Sequence, residues 1–169
     1  KDVDRLKIIA ERFSKVGSIP EREEVLLNDL LESSLSYMQT RTTSKIKIAC
    51  SYKNCGEVKA RLNAPLFQWV IENLCKNAID AITGEGTIIF EVSETPENVI
   101  LDVIDSGKGI PKSKFKTVFQ PGYTTKMRGW GLGLSLVKRI VEEYHGGKIY
   151  VLRSELNKGT CFRVILNKM

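Results

Sequence analysis

The stretch 64–82, Ala-Pro-Leu-Phe-Gln-Trp-Val-Ile-Glu-Asn-Leu-Cys-Lys-Asn-Ala-Ile-Asp-Ala-Ile, constrains the fold more than any other part of the chain. Wound as a helix at about 100° per residue, it puts Phe67, Val70, Ile71, Leu74, Ala78 and Ile82 on one apolar arc. Asn73, Lys76, Asn77 and Asp80 fall on an adjoining polar arc. So apolar a helix packs into a core. Polar groups at its margin then need partners, because burying them unpaired is costly. Solvent satisfies such an arc on a plain surface helix; an oxygen-rich ligand with a metal ion satisfies it in a binding site. The rest of the sequence decides between the two.

The 169 residues are 42% hydrophobic and 27% charged, enough for one core plus an appendage. No apolar run reaches the ~18 residues that cross a bilayer, and the polar, periodic start does not resemble a signal peptide. The chain opens on Lys rather than Met, as a piece of a longer protein would. The net charge of +6 permits an anionic partner. The basic residues are scattered without interleaved aromatics, which argues against nucleic acid. Cys50, Cys55, Cys75 and Cys161 form no Cys-x-x-Cys pair, and the single His145 is not at ligand spacing from them, which argues against zinc. Four thiols without a framework fit a reducing cytoplasm.

Val3, Leu6, Ala10 and Phe13 repeat at heptad-like spacing over 1–16, a seam that needs a partner helix or a second copy. Residues 17–24, with Gly17 and Pro20, read as a linker. The spacing predicts a helix over 25–40, strands over 46–53 and 58–62, and the helix over 64–82. It then predicts a hairpin of 87–93 with 99–105, a helix over 132–144, and a hairpin of 148–153 with 160–166. The expected fold class is α+β: a two-layer α/β sandwich, its mixed, mostly antiparallel sheet covered on one face by helices. Between the middle elements, 106–131 is rich in Gly, Lys and Thr. A loop of that length is usually a functional lid or disordered.

Two motifs flank that loop. Asp105-Ser-Gly107-Lys-Gly109-Ile110 follows a strand; its Asp can accept from an exocyclic amine, and its glycines let backbone approach a flat ring. Alone, it would read as a tight turn. Arg128-Gly-Trp130-Gly131-Leu132-Gly133-Leu134 opens the next helix, where clustered backbone amides favour anions. It is not a dinucleotide fingerprint, because Leu136 stands at the third glycine position. Nor is it a P-loop, for want of Gly-Lys-Ser/Thr. The protein-kinase His-Arg-Asp and Asp-Phe-Gly signatures are absent as well.

Together these elements resemble the ATP-binding catalytic domain of sensor histidine kinases, nitrogen-regulatory-like. That domain belongs to a superfamily shared with gyrase, the ninety-kilodalton heat-shock chaperones and the MutL mismatch-repair proteins, built on the Bergerat-type ATP-binding fold. Asn73–Asp80 resembles the N box and Asp105–Gly109 the G1 box. Phe115-x-x-x-Phe119-Gln-Pro-Gly-Tyr123-Thr-Thr-Lys126 resembles the F box and lid, and Gly129–Gly133 the G2 box. The four boxes occur in family order over 25–169.

The resemblance implies roles. Asn77 coordinates Mg²⁺ through its amide oxygen. Asn73 stands where the hydrolases of the superfamily carry a glutamate base, which favours transfer to an acceptor over hydrolysis. Lys76 meets phosphate or pairs with Glu72 and Asp80. Asp105 binds the adenine amine, with Gly107, Gly109 and Ile110 about the base and Asp80 also at the nucleotide. Lys126, Gly131, Leu132 and Gly133 hold the triphosphate, and the Thr160 hydroxyl supports the adenine end.

The implied function is transfer of the ATP γ-phosphate to a histidine on an upstream hairpin, for relay to a response regulator. The full-length protein is implied to be a homodimer, and this domain cytoplasmic, with anchoring of its parent in the inner membrane left open. Residues 1–16 would be the end of the hairpin, and Gly17 a hinge to the catalytic domain at 25–169. His145 ends a helix, where a cation is electrostatically reasonable, and is not read as the acceptor. The alternatives are a hydrolytic relative, a serine kinase of the anti-sigma type and a degenerate binding module.

Overall fold

The computed structural model describes residues 20–124 and 133–168. Five strands form one sheet: β2 (Ile46–Tyr52), β4 (Gly86–Glu94), β5 (Asn98–Asp105), β7 (Gly159–Asn167) and β6 (Lys148–Glu155), in that order across it. The β2–β4 pair is parallel and the rest are antiparallel. A short antiparallel pair, β1 (Glu23–Leu26) with β3 (Lys59–Leu62), stands apart from it. The helices are α1 (Leu27–Thr40), α2 (Ala64–Ala81) and α3 (Gly133–Arg139).

Period-2 alternation decides the sheet's faces. Ile88, Phe90 and Val92 of β4, Val99, Leu101 and Val103 of β5, and Phe162, Val164 and Leu166 of β7 are buried in the core. Phe67, Val70, Ile71 and Leu74 of α2 and Leu27, Leu31 and Leu35 of α1 close the same cluster. Val137, Ile140 and Val141 complete it. On the alternate positions, Arg163 makes a two-pronged pair with Asp102 at 2.8 Å for both bonds. This is the expected two-layer sandwich.

α2 is set by its ends. Asn63 caps it, its side chain accepting from the Leu66 amide at 3.2 Å, and Pro65 sits in the first turn. The helix stops at Ala81, one residue before the predicted end. Three other boundaries differ from expectation. Val25 and Leu26 fit the helical spacing of α1 but belong to β1, because their backbone pairs with β3. Glu23 and Glu24, expected in the linker, are in that strand too. The predicted helix over 132–144 is α-helical only to Arg139, and Ile140–Tyr144 is a π-turn. Within 106–124 the chain makes two 3₁₀ turns, Lys112–Lys114 and Thr117–Phe119.

Among the described residues no helix is long and apolar enough to cross a membrane.

Candidate functional site

Asp105 is the last residue of β5 and continues the buried alternation of Val99, Leu101 and Val103, so its carboxyl faces the helices. Its Oδ1 accepts from the Gly107 amide at 2.8 Å. Burial pushes the carboxyl above its ordinary range, and the backbone amides of Gly107 and Thr160 pull it partly back. A carboxyl held by amides rather than by a cation keeps acceptor capacity for a neutral N–H donor.

The loop after Asp105 is clamped. A Cβ on Gly107 would lie 2.6 Å from the Ala81 carbonyl oxygen at the end of α2, and the Lys108 amide donates to that same carbonyl at 2.9 Å. Gly109, at φ +78°, abuts the backbone of Glu155. Gly159, at φ +113°, abuts the backbone of Asp105, where no side chain fits. The Asn157 amide donates to the Lys108 carbonyl at 2.8 Å, tying the two loops together. Packing of chain on chain thus accounts for Gly107 and Gly109, which the sequence reading gave to the base. Gly159 was not singled out there.

Thr160 lies opposite Asp105 in the β5–β7 register and is buried. Its Oγ1 is 2.7 Å from the Oγ of Ser154. The Ser154 hydroxyl also accepts from the Ile110 amide at 2.7 Å and donates to the Gly159 carbonyl at 3.0 Å. Ser154 therefore joins Ile110 and Thr160, two expected site residues, and sequence reasoning missed it.

The polar arc of α2 lies beside α3. The Asn77 Nδ2 donates to the Asn73 Oδ1 at 3.4 Å, a long contact. A Cβ on Gly133 would sit 2.7 Å from that same Asn73 oxygen, so a side chain there is excluded. Asn73, Asn77 and Gly133 are therefore brought together. Lys76 and Asp80 are exposed on the same helix, and both take part in polar or electrostatic interactions. Glu72, offset by one residue, accepts from the Gln68 amide at 3.0 Å. Lys126, Gly131, Leu132 and Trp130 lie outside the described residues.

The start of the lid stretch is anchored. Phe119 meets Phe162 edge-on, with centroids 6.0 Å apart, and the Lys138 ammonium sits 5.4 Å over the Phe119 ring. Phe115 and Tyr123 are partly buried against the core.

His145 is structural. Its Nδ1 is 2.8 Å from the Ile140 carbonyl, and its Nε2 accepts from the Asn63 amide at 3.1 Å. That pair of partners fixes the neutral ring protonated on Nδ1. Burial holds its pKa below the ordinary histidine value, and the nearby Arg22 guanidinium lowers it further.

The order of these parts has counterparts in known proteins. Residues 62–168 match the model of the histidine kinase-, DNA gyrase B- and HSP90-like ATPases. The chain belongs to that family. Within it, the chain is similar to histidine kinases. The sensor histidine kinase ZraS of Salmonella typhi is 36% identical over 171 residues, 98% of this chain and 36% of the relative. Sporulation kinase C of Bacillus subtilis is 31% identical over 141 residues, 83% of this chain and 32% of the relative. The nucleotide-free catalytic domain of histidine kinase ThkA superposes with a TM-score of 0.78 at 28% identity, covering 88% of this chain and 98% of that one. The chain thus spans about a third of the length of these curated relatives, and its fold is that of a histidine kinase catalytic domain.

Proposed function

We propose that this chain is the ATP-binding catalytic part of a two-component sensor kinase that transfers the γ-phosphoryl group of ATP to a histidine on an upstream hairpin. The observation that carries the reading is Asn73. It meets the first residue of α3 from the polar arc of α2, and an amide there cannot take a proton from water. The nearby Glu72 is engaged with Gln68. A site without a base at that place favours an acceptor that brings its own nucleophile. His145 is not that nucleophile, since both ring nitrogens are already partnered.

In this reading the purine lies at Asp105, Ile110 and Thr160, and the phosphates run toward Asn73, Asn77 and Gly133. Lys126, Gly131 and Leu132 would complete the phosphate end, with Lys76 and Asp80 at its margin. The Asn77 side chain offers an amide carbonyl oxygen, a hard donor of the kind that fits Mg²⁺. When bound, the ion would neutralise phosphate charge. The protein's own contribution is to orient the γ-phosphate for in-line attack.

Support for the relay comes from a solved complex of ThkA with response regulator TrrA. Its kinase chain is 26% identical to this one, with a TM-score of 0.79, covering 99% of this chain and 48% of that chain. The end of the hairpin at 1–16, a linker that stops before β1 at Glu23, a homodimeric whole and a membrane anchor in the parent protein belong to the same proposal. Incubation with γ-labelled ATP tests it. A histidine-bearing hairpin supplied in trans should gain acid-labile label, while the chain alone gains none. Acid-labile label on His145, or rapid ATP hydrolysis without an acceptor, would overturn it.

A further inference from the structure

Strand β6 carries a bulge that changes which of its residues faces the site. Val151 pairs with Phe162, Arg153 with Cys161 and Ser154 with Thr160, so Leu152 is the extra residue. Val151 and Phe162 face the core. Simple alternation from Val151 would turn Arg153 inward and Ser154 outward. The bulge reverses this and sets Ser154 beside Thr160, on the face that carries Asp105. Bulges next to active sites commonly re-aim one side chain in this way.

The contacts of Ser154 then fix its protons. A serine hydroxyl has one proton and two lone pairs. The Ile110 amide uses one lone pair, and the Gly159 carbonyl takes the proton. Only the second lone pair is left for Thr160, 2.7 Å away. With all three contacts made, Thr160 donates its own proton to Ser154. Its hydroxyl oxygen is left with lone pairs alone toward any ligand, next to a carboxyl that is also an acceptor.

We propose that Ser154 is a positioning residue for purine recognition, holding the Thr160 proton away from the ligand so that the pocket selects a 6-amino over a 6-oxo purine. The inference rests on the reading of the Asp105 end as the purine site of ATP. A 6-amino group brings N–H donors to this pair of acceptors. A 6-oxo purine brings a carbonyl oxygen and a single ring N–H in place of the two amine N–H groups, so one of the two acceptors faces a like group, which a buried pocket disfavours. A site built for hydrogen bonds rejects the mismatched analogue far more sharply than an apolar pocket does.

The test is calorimetric titration of the full chain with Mg·ATP and Mg·ITP, repeated on Ser154→Ala, Ser154→Thr and Thr160→Val. The unmodified chain should prefer ATP by more than tenfold. Ser154→Ala frees the Thr160 proton, so the preference should fall several-fold, mainly through tighter ITP binding. Ser154→Thr keeps the hydroxyl and should restore the preference. Thr160→Val should also reduce it, with no further loss in the Ser154→Ala/Thr160→Val double variant. Equal weakening toward both nucleotides in Ser154→Ala, with an unchanged ratio, would show a merely structural role and overturn the proposal. If Ser154→Ala does not fold, Thr160→Val decides alone, and an unchanged ratio there also overturns it. No ATP binding by the unmodified chain, or undiminished ATP affinity in Asp105→Asn, would refute the purine site itself.

Discussion

Replacing His145 by alanine removes a buried group that joins two elements, α2 and the π-turn. The ring's Nε2 receives the amide of Asn63, the cap of α2, and its Nδ1 meets the carbonyl of Ile140, the first residue of the π-turn. Phe67 of α2 packs edge-on at 5.7 Å. Leaving the Asn63 amide unpaired costs about 1–3 kcal/mol, and the lost ring contact about 0.5–1.5 kcal/mol. A total near ~3 kcal/mol lowers Tm by roughly 9 °C for a domain of this size. The effect carries a pH signature. Burial holds the folded-state pKa below the ordinary value of 6.5. Between the two values the unfolded chain binds a proton and the native chain does not, so stability falls as pH drops from about 6.5. Each unit of depression corresponds to ~1.4 kcal/mol. Urea unfolding of both proteins between pH 7.5 and 5.5 reads this directly. The gap between unmodified chain and variant should be widest at pH 7.5 and narrow on acidification. A gap below ~1 kcal/mol at pH 7.5, or one that does not change with pH, would refute the neutral, doubly bonded imidazole.

Two further outcomes follow from burial and backbone geometry. Gly159→Ala places a Cβ against the backbone of Asp105 at φ +113°; chemical denaturation should show a loss of at least ~2 kcal/mol, with ATP affinity reduced. Burial pushes the Cys75 thiol up to about 12 and the Cys161 thiol up to about 11; iodoacetamide at pH 8 should leave both unmodified in the native chain and label them once it is unfolded.

Periodicity made most of the fold legible. The apolar arc of α2 and the alternation of β4, β5 and β7 are strong patterns because each element buries one face. β1 was hidden because Val25 and Leu26 continue the helical spacing of α1, and only pairing with a distant strand makes them extended. The π-turn was hidden because buried Ile140 and Val141 suit either helix type. The position of Asp105 at a strand end before glycines was legible. Gly107 and Gly109 are demanded by the backbones of Ala81 and Glu155, a packing reason that the motif alone does not reveal. Ser154 was illegible because a bulge inverts the parity by which a strand is read. His145, read as a cation at a helix end, is a neutral bridge between distant segments. Only the contact with Asn63 distinguishes the two.

The central claim is a nucleotide site running from Asp105 to the asparagines of α2. Its most direct test is titration of the chain with a non-hydrolysable ATP analogue, with and without Mg²⁺, beside Asp105→Asn and Asn77→Asp. Saturable binding is predicted. Asp105→Asn should weaken it by about 10–100-fold with or without the ion, as expected for loss of a charged acceptor. Asn77→Asp should alter only the magnesium-dependent part. Absence of binding, or equal affinity in Asp105→Asn, would contradict the account.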